Sequence, residues 1–576
     1  MLTPPSSCRP GLPAKACGRP ETWQGQFVFA NSRLVANGLQ QSLESRFVSP
    51  RRALVAVLLG SAVLATACTT TATPAADGGK DGTSMVLAAA QEPSTLNPLL
   101  GYGEQGASKI YDGLVEHQAD RSLRPLLAAE LPEPSADGKS WTVKLRGNVK
   151  FSDGSPFGAE DVVATYRALL DPAFASPLRD SFGMLASVDQ VDATTVRFTL
   201  AYPYAPFPDK LVLGIAPRAA LAKPAPLAGN ELGTKPVGTG PYKLADWHKG
   251  EQLVLQANDS YFDGAPKIKK ITVIFAGADS ARAQRMQAGE FDGTMLPPTL
   301  AKNFDKATGM RVISQRSAEY QTVELPTKNA VTGDKAVRLA LNYAVNRQSM
   351  VDGALAGHGS PAYTPIPEAM PEFFEPTAKF RYDKAEAARL LDQGGWALGQ
   401  DGVRARGGVP ARFTLMYPVD DTVRQGLATS FVADAKAVGI DVQLAGLAWP
   451  AIKPRLADDA LLLAGGTPFD PDLTAYELLH SSFAGKGFAN PGSYADPQVD
   501  AALDAGRRTT DPAQRAAAYK QAQRAYVADP GMVFLAFPDH TSVVRDNWTG
   551  YQDVVDPHTH GLTWGPWWNV QKWSNK

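Results

Sequence analysis

The sequence predicts a mixed α/β protein with enough chain for two or three packed lobes. Apolar patterns of period two and of period 3.6 alternate along the chain, which indicates interleaved strands and helices. From Met85 onward about 490 residues remain, and they contain no long apolar run, so they exceed what one small domain needs. The formal net charge is −1, which favours neither a nucleic-acid-binding surface nor a polybasic membrane surface.

The first element is an export signal that ends at Cys68. Arg51 and Arg52 precede an apolar stretch that starts at Ala53, and small residues at 65–67 lead into Cys68. About a dozen apolar residues cannot span a bilayer, which takes roughly 20. The layout therefore predicts a lipoprotein signal with a lipid on Cys68, so that residues 1–68 comprise an N-terminal extension and the signal. We expect translation to start near Val48.

Cleavage at this point sets the cysteine content and the location of the mature chain. Cys8 and Cys17 would be lost, which leaves Cys68 as the one remaining cysteine and excludes disulfides and cysteine metal sites. Residues 69–84 contain almost nothing apolar, so they cannot bury enough surface to offset the entropy lost on ordering. We expect a flexible tether that holds an extracytoplasmic protein to the outer face of the cell membrane.

Local patterns predict the elements that follow. Residues 140–145 alternate with period two and predict a strand, and SDGSP at 152–156 predicts a turn. Glu160 and Asp161 open a helix that ends at Asp171-Pro172. Further helices are predicted at 281–288, 335–355, 384–393, 423–438 and 513–527, and further strands at 253–256, 270–275, 413–417, 441–444 and 533–537.

Eight short runs in a fixed order carry a family resemblance. They are STLNP (94–98), YDGL (111–114), WTVKLR (141–146), KFSDGSPF (150–157), GTGPY (238–242), AGEFD (288–292), VRLALNYA (337–344) and DPQVD (496–500). Together they resemble the extracytoplasmic solute-binding proteins of family 5, the peptide and nickel class that feeds ABC importers. The resemblance covers the chain from about Met85 to its C-terminus.

This resemblance implies a two-lobed periplasmic-binding-protein fold of type II, in its large family 5 form, with strands that cross at a hinge. The implied boundaries are 85–320 for the first part of one lobe, 321–534 for a hinge strand and the second lobe, and 535–576 for the return, with crossings near 321–325 and 533–537. The implied function is to capture a solute and deliver it to an ABC permease with its ATPase subunits, as a monomer and without catalysis, cofactor or metal.

The segment GGTPFDPD at 465–472 bears on the identity of the solute. In the dipeptide and oligopeptide receptors the resembling segment carries an Asp that pairs with the peptide's amino group, and Thr467 stands there in this chain. A hydroxyl is a weaker partner for an ammonium than a carboxylate is. The nickel receptors carry Trp, Tyr and His where this chain has Gly465, Phe469 and Asp472, and they use an Arg that is absent before Pro217.

The resemblance places the candidate ligand-cleft residues by position alone. They are Tyr102, Glu104, Tyr320, Thr467, Phe469, Asp470 and His480. For His480 a role at a helix end is favoured over contact with a metal. The sequence places no third metal ligand near His558 and His560, so this segment is predicted to be a solvated loop and not a metal site. Three tryptophans near the C-terminus are predicted to pack in the first lobe rather than to stack on a ligand: Trp564, Trp567 and Trp568.

Three functions remain open at this point. A peptide is favoured because a wide cleft that binds peptide backbone tolerates Thr467. The alternative is a nickel or other metal chelate, or another small polar solute. A remote alternative is an extracellular hydrolase, although the chain shows neither a GxSxG nor an HExxH motif, and no cysteine nucleophile would remain after cleavage.

Overall fold

The protein is described by a computed structural model that covers residues 82–558 and 561–576. The predicted signal, Cys68 and most of the predicted tether lie outside the described residues. The fold is mixed α/β, which confirms the fold class. Within the described part of the chain, no helix has both the length and the apolar character needed to cross a bilayer.

The strands are numbered in chain order. They are β1 Ser84–Ala89, β2 Val115–His117, β3 Leu123–Pro125, β4 Glu133–Pro134, β5 Ser140–Lys144, β6 Leu185–Asp192, β7 Thr195–Leu200, β8 Tyr242–His248, β9 Gln252–Ala257, β10 Lys270–Phe275, β11 Gly293–Met295, β12 Met310–Gln315, β13 Tyr320–Glu324, β14 Gly359–Pro361, β15 Ala397–Leu398, β16 Arg404–Arg406, β17 Val409–Pro410, β18 Arg412–Pro418, β19 Asp441–Leu447, β20 Ala460–Gly465, β21 Met532–Pro538, β22 His540–Arg545, β23 Trp548–Thr549 and β24 Ser574–Asn575.

The α-helices follow the same convention. They are α1 Ala159–Leu170, α2 Phe207–Lys210, α3 Asp279–Gln287, α4 Pro298–Ala301, α5 Lys335–Ala344, α6 Arg347–Ala354, α7 Lys384–Gln393, α8 Thr422–Lys436, α9 Trp449–Ile452, α10 Pro471–Leu479, α11 Pro497–Arg508 and α12 Pro512–Ala528.

Two large sheets define two lobes. One sheet has the strand order β12-β22-β11-β1-β10-β9-β8, and the other has the order β14-β21-β13-β20-β18-β19. A separate antiparallel sheet has the order β4-β5-β7-β6. Its strands come from the stretch of chain between β1 and β8, which are both strands of the first large sheet. We name the described residues of 82–315 and 540–576 lobe I, and residues 320–538 lobe II.

The chain passes between the lobes twice, and the two connections lie side by side. Residues 316–319 lead from β12 to β13, and Asp539 leads from β21 back to β22. The hydroxyl of Ser317 donates to the carbonyl of Pro538 (2.5 Å), and β13 and β21 are antiparallel neighbours. Two adjacent connections of this kind are typical of two-lobed proteins that open and close about a hinge.

The C-terminal segment is anchored inside lobe I. Lys109 is 1 % exposed, and its ammonium donates to the carbonyls of Ala107 (2.6 Å), Thr563 (3.2 Å) and Trp568 (3.0 Å). Burial lowers the pKa of this lysine to about 7. The tryptophans at 564, 567 and 568 are buried, but the ring centroid of Trp564 also lies 4.9 Å from that of Phe469 in lobe II, so its packing is not confined to lobe I.

The predicted helix at 335–355 is wrong as a single element, because the structure contains α5 and α6 there. Asn346 leaves the helical conformation, and its side chain accepts a hydrogen bond from the amide of Ser349 and so begins a new helix. Helices α10 and α11 were not predicted from the sequence. Each begins at an Asp-Pro pair that resembles a break, although Asp470 and Asp496 act as N-caps with Pro at the first helical position.

Candidate functional site

Three cavities lie next to one another, and two of them are lined from both lobes. The first, here named the aromatic compartment, has a volume of about 170 Å³ and is lined from both lobes, with rings from His117, Tyr202, Tyr204, Phe469 and Tyr476. The second, the sheet compartment, has a volume of about 460 Å³ and lies against β9, β10 and residues of the loop 91–105. The third, the hinge compartment, has a volume of about 250 Å³ and is lined by the connections between the lobes and by the start of α8.

The three compartments adjoin one another in a row, here named the groove. The aromatic and sheet compartments share Glu104 and Gln105. The sheet and hinge compartments share Ala89, Gln91 and Leu562. The aromatic and hinge compartments have no lining residue in common, so the sheet compartment is the one that adjoins both of the others.

Two rings from opposite lobes meet in the aromatic compartment. His117 at the end of β2 stacks on Phe469 of lobe II, with the ring centroids 3.6 Å apart and the planes 4° from parallel. Burial lowers the pKa of His117 to about 3, so its imidazole is neutral. Its Nε2 lies 3.6 Å from Oδ1 of Asp209, beyond hydrogen-bonding distance. A hydrogen bond with the backbone of Arg121 partly offsets the effect of burial on the pKa of His117.

Thr467 presents an unpartnered polar atom to this compartment. The residue is 4 % exposed, and its Oγ1 has no hydrogen-bond partner in the part of the chain that the structure describes. Its backbone is fixed by Thr474 in α10, whose hydroxyl donates to the Thr467 carbonyl (2.8 Å) and accepts from the Thr467 amide (3.0 Å). A buried hydroxyl without a partner costs free energy, which a ligand atom can recover.

Replacing each of these two threonines by valine should therefore have different effects on stability. Thr467→Val removes only the unpartnered hydroxyl, so the free energy of unfolding should change by less than about 1 kcal/mol. Thr474→Val leaves the Thr467 amide and carbonyl without their partner and should cost about 1–3 kcal/mol. Equilibrium urea denaturation measures both values. Equal losses in the two variants would contradict the assignment of Thr467 Oγ1 as a free ligand contact.

Asp472 joins the lobes at the edge of the same compartment. The hydroxyl of Tyr204 in lobe I donates to Asp472 Oδ2 in lobe II (2.7 Å). Arg507 donates to both carboxylate oxygens (2.9 and 3.2 Å), and Tyr519 donates to Oδ1 (3.1 Å). The guanidinium of Arg507 also lies 3.2 Å from the ring centre of Tyr476. With four hydrogen bonds on one carboxylate, Asp472 connects Tyr204 of lobe I to Arg507 and Tyr519 of lobe II.

Asp470 forms a second buried ion pair. Arg515 donates to both of its carboxylate oxygens at 2.9 Å, and the amide of Asp472 donates to Oδ1 (2.8 Å). Burial raises the pKa of Asp470, although the charge of Arg515 opposes that shift. The carboxylate of Asp470 thus supports α10 through contacts inside lobe II.

The remaining sequence candidates lie in different places. Tyr102 lines the sheet compartment, and Glu104 lines both the sheet and the aromatic compartments. Tyr320 packs edge-on against Phe534, and a Cβ added at Gly465 would lie 2.6 Å from the Tyr320 hydroxyl. The Tyr320 ring therefore occupies the space that a larger residue at 465 would need.

His480 lies at the C-terminal end of α10. Its Nδ1 accepts a hydrogen bond from the amide of Ser482 (3.1 Å), and its ring stacks on Tyr476 with the centroids 4.4 Å apart. Its Nε2 is 3.7 Å from Asp504. Among the described residues no group of three or more His, Cys, Asp or Glu side chains is arranged to hold a metal ion.

A buried charge network borders the hinge compartment. His540, the first residue of β22, contacts Asp556 through Nδ1 (2.6 Å) and Glu319 through Nε2 (3.2 Å). Glu319 also contacts Nδ1 of His558 (2.7 Å) and accepts a hydrogen bond from Gln321 (2.5 Å). Burial alone would lower the pKa of His540, but the hydrogen bonds that its ring donates to the two carboxylates raise it to about 10.

Several residues of the site were not found from the sequence. His117 ends a three-residue strand, and nothing in its local pattern marks it. Tyr204 and Arg507 are separated from the Asp472 that they bind by 268 and 35 residues. Glu477 lies on α10, after the GGTPFDPD segment in the chain, and lines the aromatic compartment.

Known proteins resemble this chain over most of its length. The sequence model of the bacterial extracellular solute-binding proteins, family 5 Middle, matches residues 122–486. Protein XP55 of Streptomyces lividans is 46% identical over 497 residues, which are 86% of this chain and 91% of that protein.

Solved structures agree with these matches. NikZ from Campylobacter jejuni in complex with Ni(L-His) has a TM-score of 0.79 and 26% identity, over 86% of this chain and 100% of NikZ. The oligopeptide-binding protein AppA from Bacillus subtilis in complex with a nonapeptide has a TM-score of 0.76 and 26% identity, over 86% of this chain and 99% of AppA. These likenesses confirm the two-lobed type II fold. The chain belongs to family 5 of the bacterial extracellular solute-binding proteins.

Proposed function

We propose that this protein is the lipid-anchored receptor of an ABC importer and that it captures peptides outside the cell. The observation that carries this proposal is the row of three adjoining compartments. A compact solute needs one enclosed pocket, whereas an extended peptide needs a groove with successive places for its side chains. AppA, whose solved complex holds a nonapeptide, supports the same conclusion through its similar fold.

The groove also differs in character along its length, which suits a chain of different side chains. The aromatic compartment combines rings with charged groups, whereas the sheet compartment has an apolar wall formed by Leu253, Leu255, Val273 and Phe275. An apolar side chain placed against this wall would gain about 25 cal/mol for each Å² that it buries. A ligand with both polar and apolar parts therefore fits better than a uniformly polar one.

A metal chelate is the second candidate. NikZ was solved in complex with Ni(L-His), and in this chain the neutral imidazole of His117 lines the aromatic compartment. A neutral imidazole is a common metal ligand.

Native mass spectrometry of residues 72–576, which form one compact unit, decides between these candidates. If the protein carries peptides from its expression host, the bound masses should form a series separated by amino-acid residue masses. Thr467→Val should carry less bound material than the wild type, because its free hydroxyl is lost. A single adduct with a nickel isotope pattern would replace the peptide proposal with the chelate.

The lipid anchor is tested separately, on the full chain in a bacterial host. Cys68→Ala should release the protein from the membrane fraction, because the predicted lipid would have no thiol to occupy. The wild-type chain should remain with the membrane and gain the mass of a diacylglyceryl group. If Cys68→Ala stayed in the membrane fraction, the anchor at this residue would be wrong.

A further inference from the structure

A short segment of lobe I links the first connection between the lobes to lobe II. Residues 556–558, here named the strap, run beside residues 316–318. The amide of Asp556 donates to the carbonyl of residue 316, and its carbonyl accepts from the amide of residue 318, both at 2.8 Å. Two residues later the amide of His558 donates to the carbonyl of Gly466, directly after β20 in lobe II (2.8 Å). The strap therefore contacts the connection and lobe II at once.

Gly466 packs directly against the same connection. Its φ of +116° lies in a region that favours glycine, and a Cβ on it would lie 2.2 Å from the carbonyl oxygen of Ala318. Thr467 is the next residue, and it lines the aromatic compartment. The position of Thr467 in that compartment thus depends on the fit between the connection, Gly466 and the strap.

Glu319 fixes the strap through its side chain. Its Oε2 lies 2.7 Å from Nδ1 of His558 and 3.2 Å from Nε2 of His540, and its Oε1 accepts from Gln321 (2.5 Å). His540 in turn contacts Asp556, so both ends of the strap are bound to one network. Although burial raises the pKa of Glu319, the two histidines hold it well below its usual value, so the group is a carboxylate. Hydrogen bonds to a carboxylate are roughly twice as strong as neutral ones.

This network lies outside the aromatic compartment. Glu319 and His540 line the hinge compartment, and His558 lines the sheet compartment. None of the three lines the aromatic compartment, where Oγ1 of Thr467 is buried without a partner among the described residues. An effect of Glu319 on Thr467 must therefore pass through the strap and Gly466.

We propose that Glu319 is a positioning residue, which holds His558 and through it the Gly466–Thr467 segment where Thr467 can contact a ligand. This inference rests on the proposed peptide receptor function and adds a residue that acts on one compartment from outside it. When the bond from Glu319 to the strap is lost, the segment gains freedom that a bound ligand must remove again. Ordering of a loop on binding costs free energy, so the affinity falls.

Hydrogen exchange of residues 72–576, followed by mass spectrometry with fragmentation to single amides, tests the first step without a ligand. In Glu319→Gln the protection of the amide at 558, which bonds to Gly466, should fall at least tenfold. His558→Leu should have the same effect, whereas His558→Asn retains a side-chain N–H donor and should stay within threefold of wild type. The amides of β20 should be unchanged, since equal losses there would indicate general destabilisation and no positioning role.

Calorimetric titration with tetraalanine tests the second step. Glu319→Gln should reduce the affinity at least fivefold. In the Thr467→Val background the same change should reduce it less than twofold, because the contact that Glu319 positions is already absent. Glu368→Gln makes the same change of charge at an exposed position of lobe II outside the three compartments, and it should leave the affinity unchanged.

The outcomes separate this inference from the proposed function. If the amide at 558 keeps its protection in Glu319→Gln and in His558→Leu, the positioning role is overturned. Equal losses of affinity with and without Thr467→Val would also overturn it, because Glu319 would then act on the ligand by another route. If protection falls as expected but tetraalanine does not bind the wild type at millimolar concentration, Glu319 holds the segment as inferred and the peptide function is wrong.

Discussion

Replacement of Arg515 by methionine is expected to reduce the free energy of unfolding by about 3–5 kcal/mol, because it leaves a buried carboxylate without its cation. Asp470 and Arg515 have side-chain exposures of 7% and 11%, and two hydrogen bonds of 2.9 Å join them. Arg515 also donates from Nε to the carbonyl of Gly506 in α11 (3.0 Å). The arginine thus connects α12 to both neighbouring helices of lobe II.

Urea denaturation at neutral pH measures this loss, and Arg167→Met is the matched control. Arg167 pairs with Asp189 at 3.1 Å, but the two side chains are 63% and 55% exposed. Surface pairs of this kind contribute about 0–1 kcal/mol. If Arg515→Met were no more destabilising than Arg167→Met, the buried pair would not support α10, and Asp470 would be free to turn toward the groove.

His540→Gln is expected to have an effect of similar size, but one that depends on pH. The substitution leaves the carboxylates of Asp556 and Glu319 without the imidazolium between them. Asp556 is 0% exposed, and its other oxygen accepts only the amide of Gly565 (2.8 Å) among the described residues. Removal of one partner from a buried charge group costs about 3–5 kcal/mol.

The pH range of this effect follows from the two pKa shifts. The pKa of His540 is raised from 6.5 to about 10 against the effect of its burial, so the stabilisation from its proton is complete below pH 6.5 and is lost as the pH rises through about 10. The pKa of Glu319 is held well below 4.5 by the two histidines despite burial, so its contribution is present above pH 4.5 and is lost as the pH falls. The network stabilises the fold most between about pH 4.5 and 6.5.

Denaturation of His540→Gln and wild type at pH 6, 8 and 10 should show a difference that decreases at each step. His248→Gln is the control, since His248 contacts Asp246 at 2.6 Å with both side chains more than half exposed. Its effect should stay below about 1 kcal/mol at each pH. A difference for His540→Gln that did not change with pH would mean that packing, and not the charge of the imidazole, accounts for the loss.

The sequence predicted the elements that short-range patterns determine. The strand at 140–145 and the helices at 384–393 and 513–527 agree with β5, α7 and α12 within a residue or two, because their apolar periodicity and end residues are local. The order of the family motifs was enough to predict the two-lobed fold, which the structural relatives confirm.

The site could not be predicted in the same way, because its contacts join distant parts of the chain. The sequence suggested that Asp470 lines the cleft, but Arg515, 45 residues further on, takes both of its oxygens. No local pattern pairs His117 with Phe469. Such contacts join residues that are far apart in the sequence, so the residues next to each of them in the chain do not predict the contact.

The position of β22 has a consequence for the order in which the protein folds. This strand lies between β12 and β11, so the large sheet of lobe I stays divided until residues 540–545 arrive. Lys109 likewise gains two of its three carbonyl partners, those at 563 and 568, only after the C-terminal segment has been synthesised. Lobe II, by contrast, is a single uninterrupted segment. A chain delivered N-terminus first can therefore complete lobe II before lobe I, and the unpaired strand edges of lobe I need protection from aggregation until the last residues have emerged.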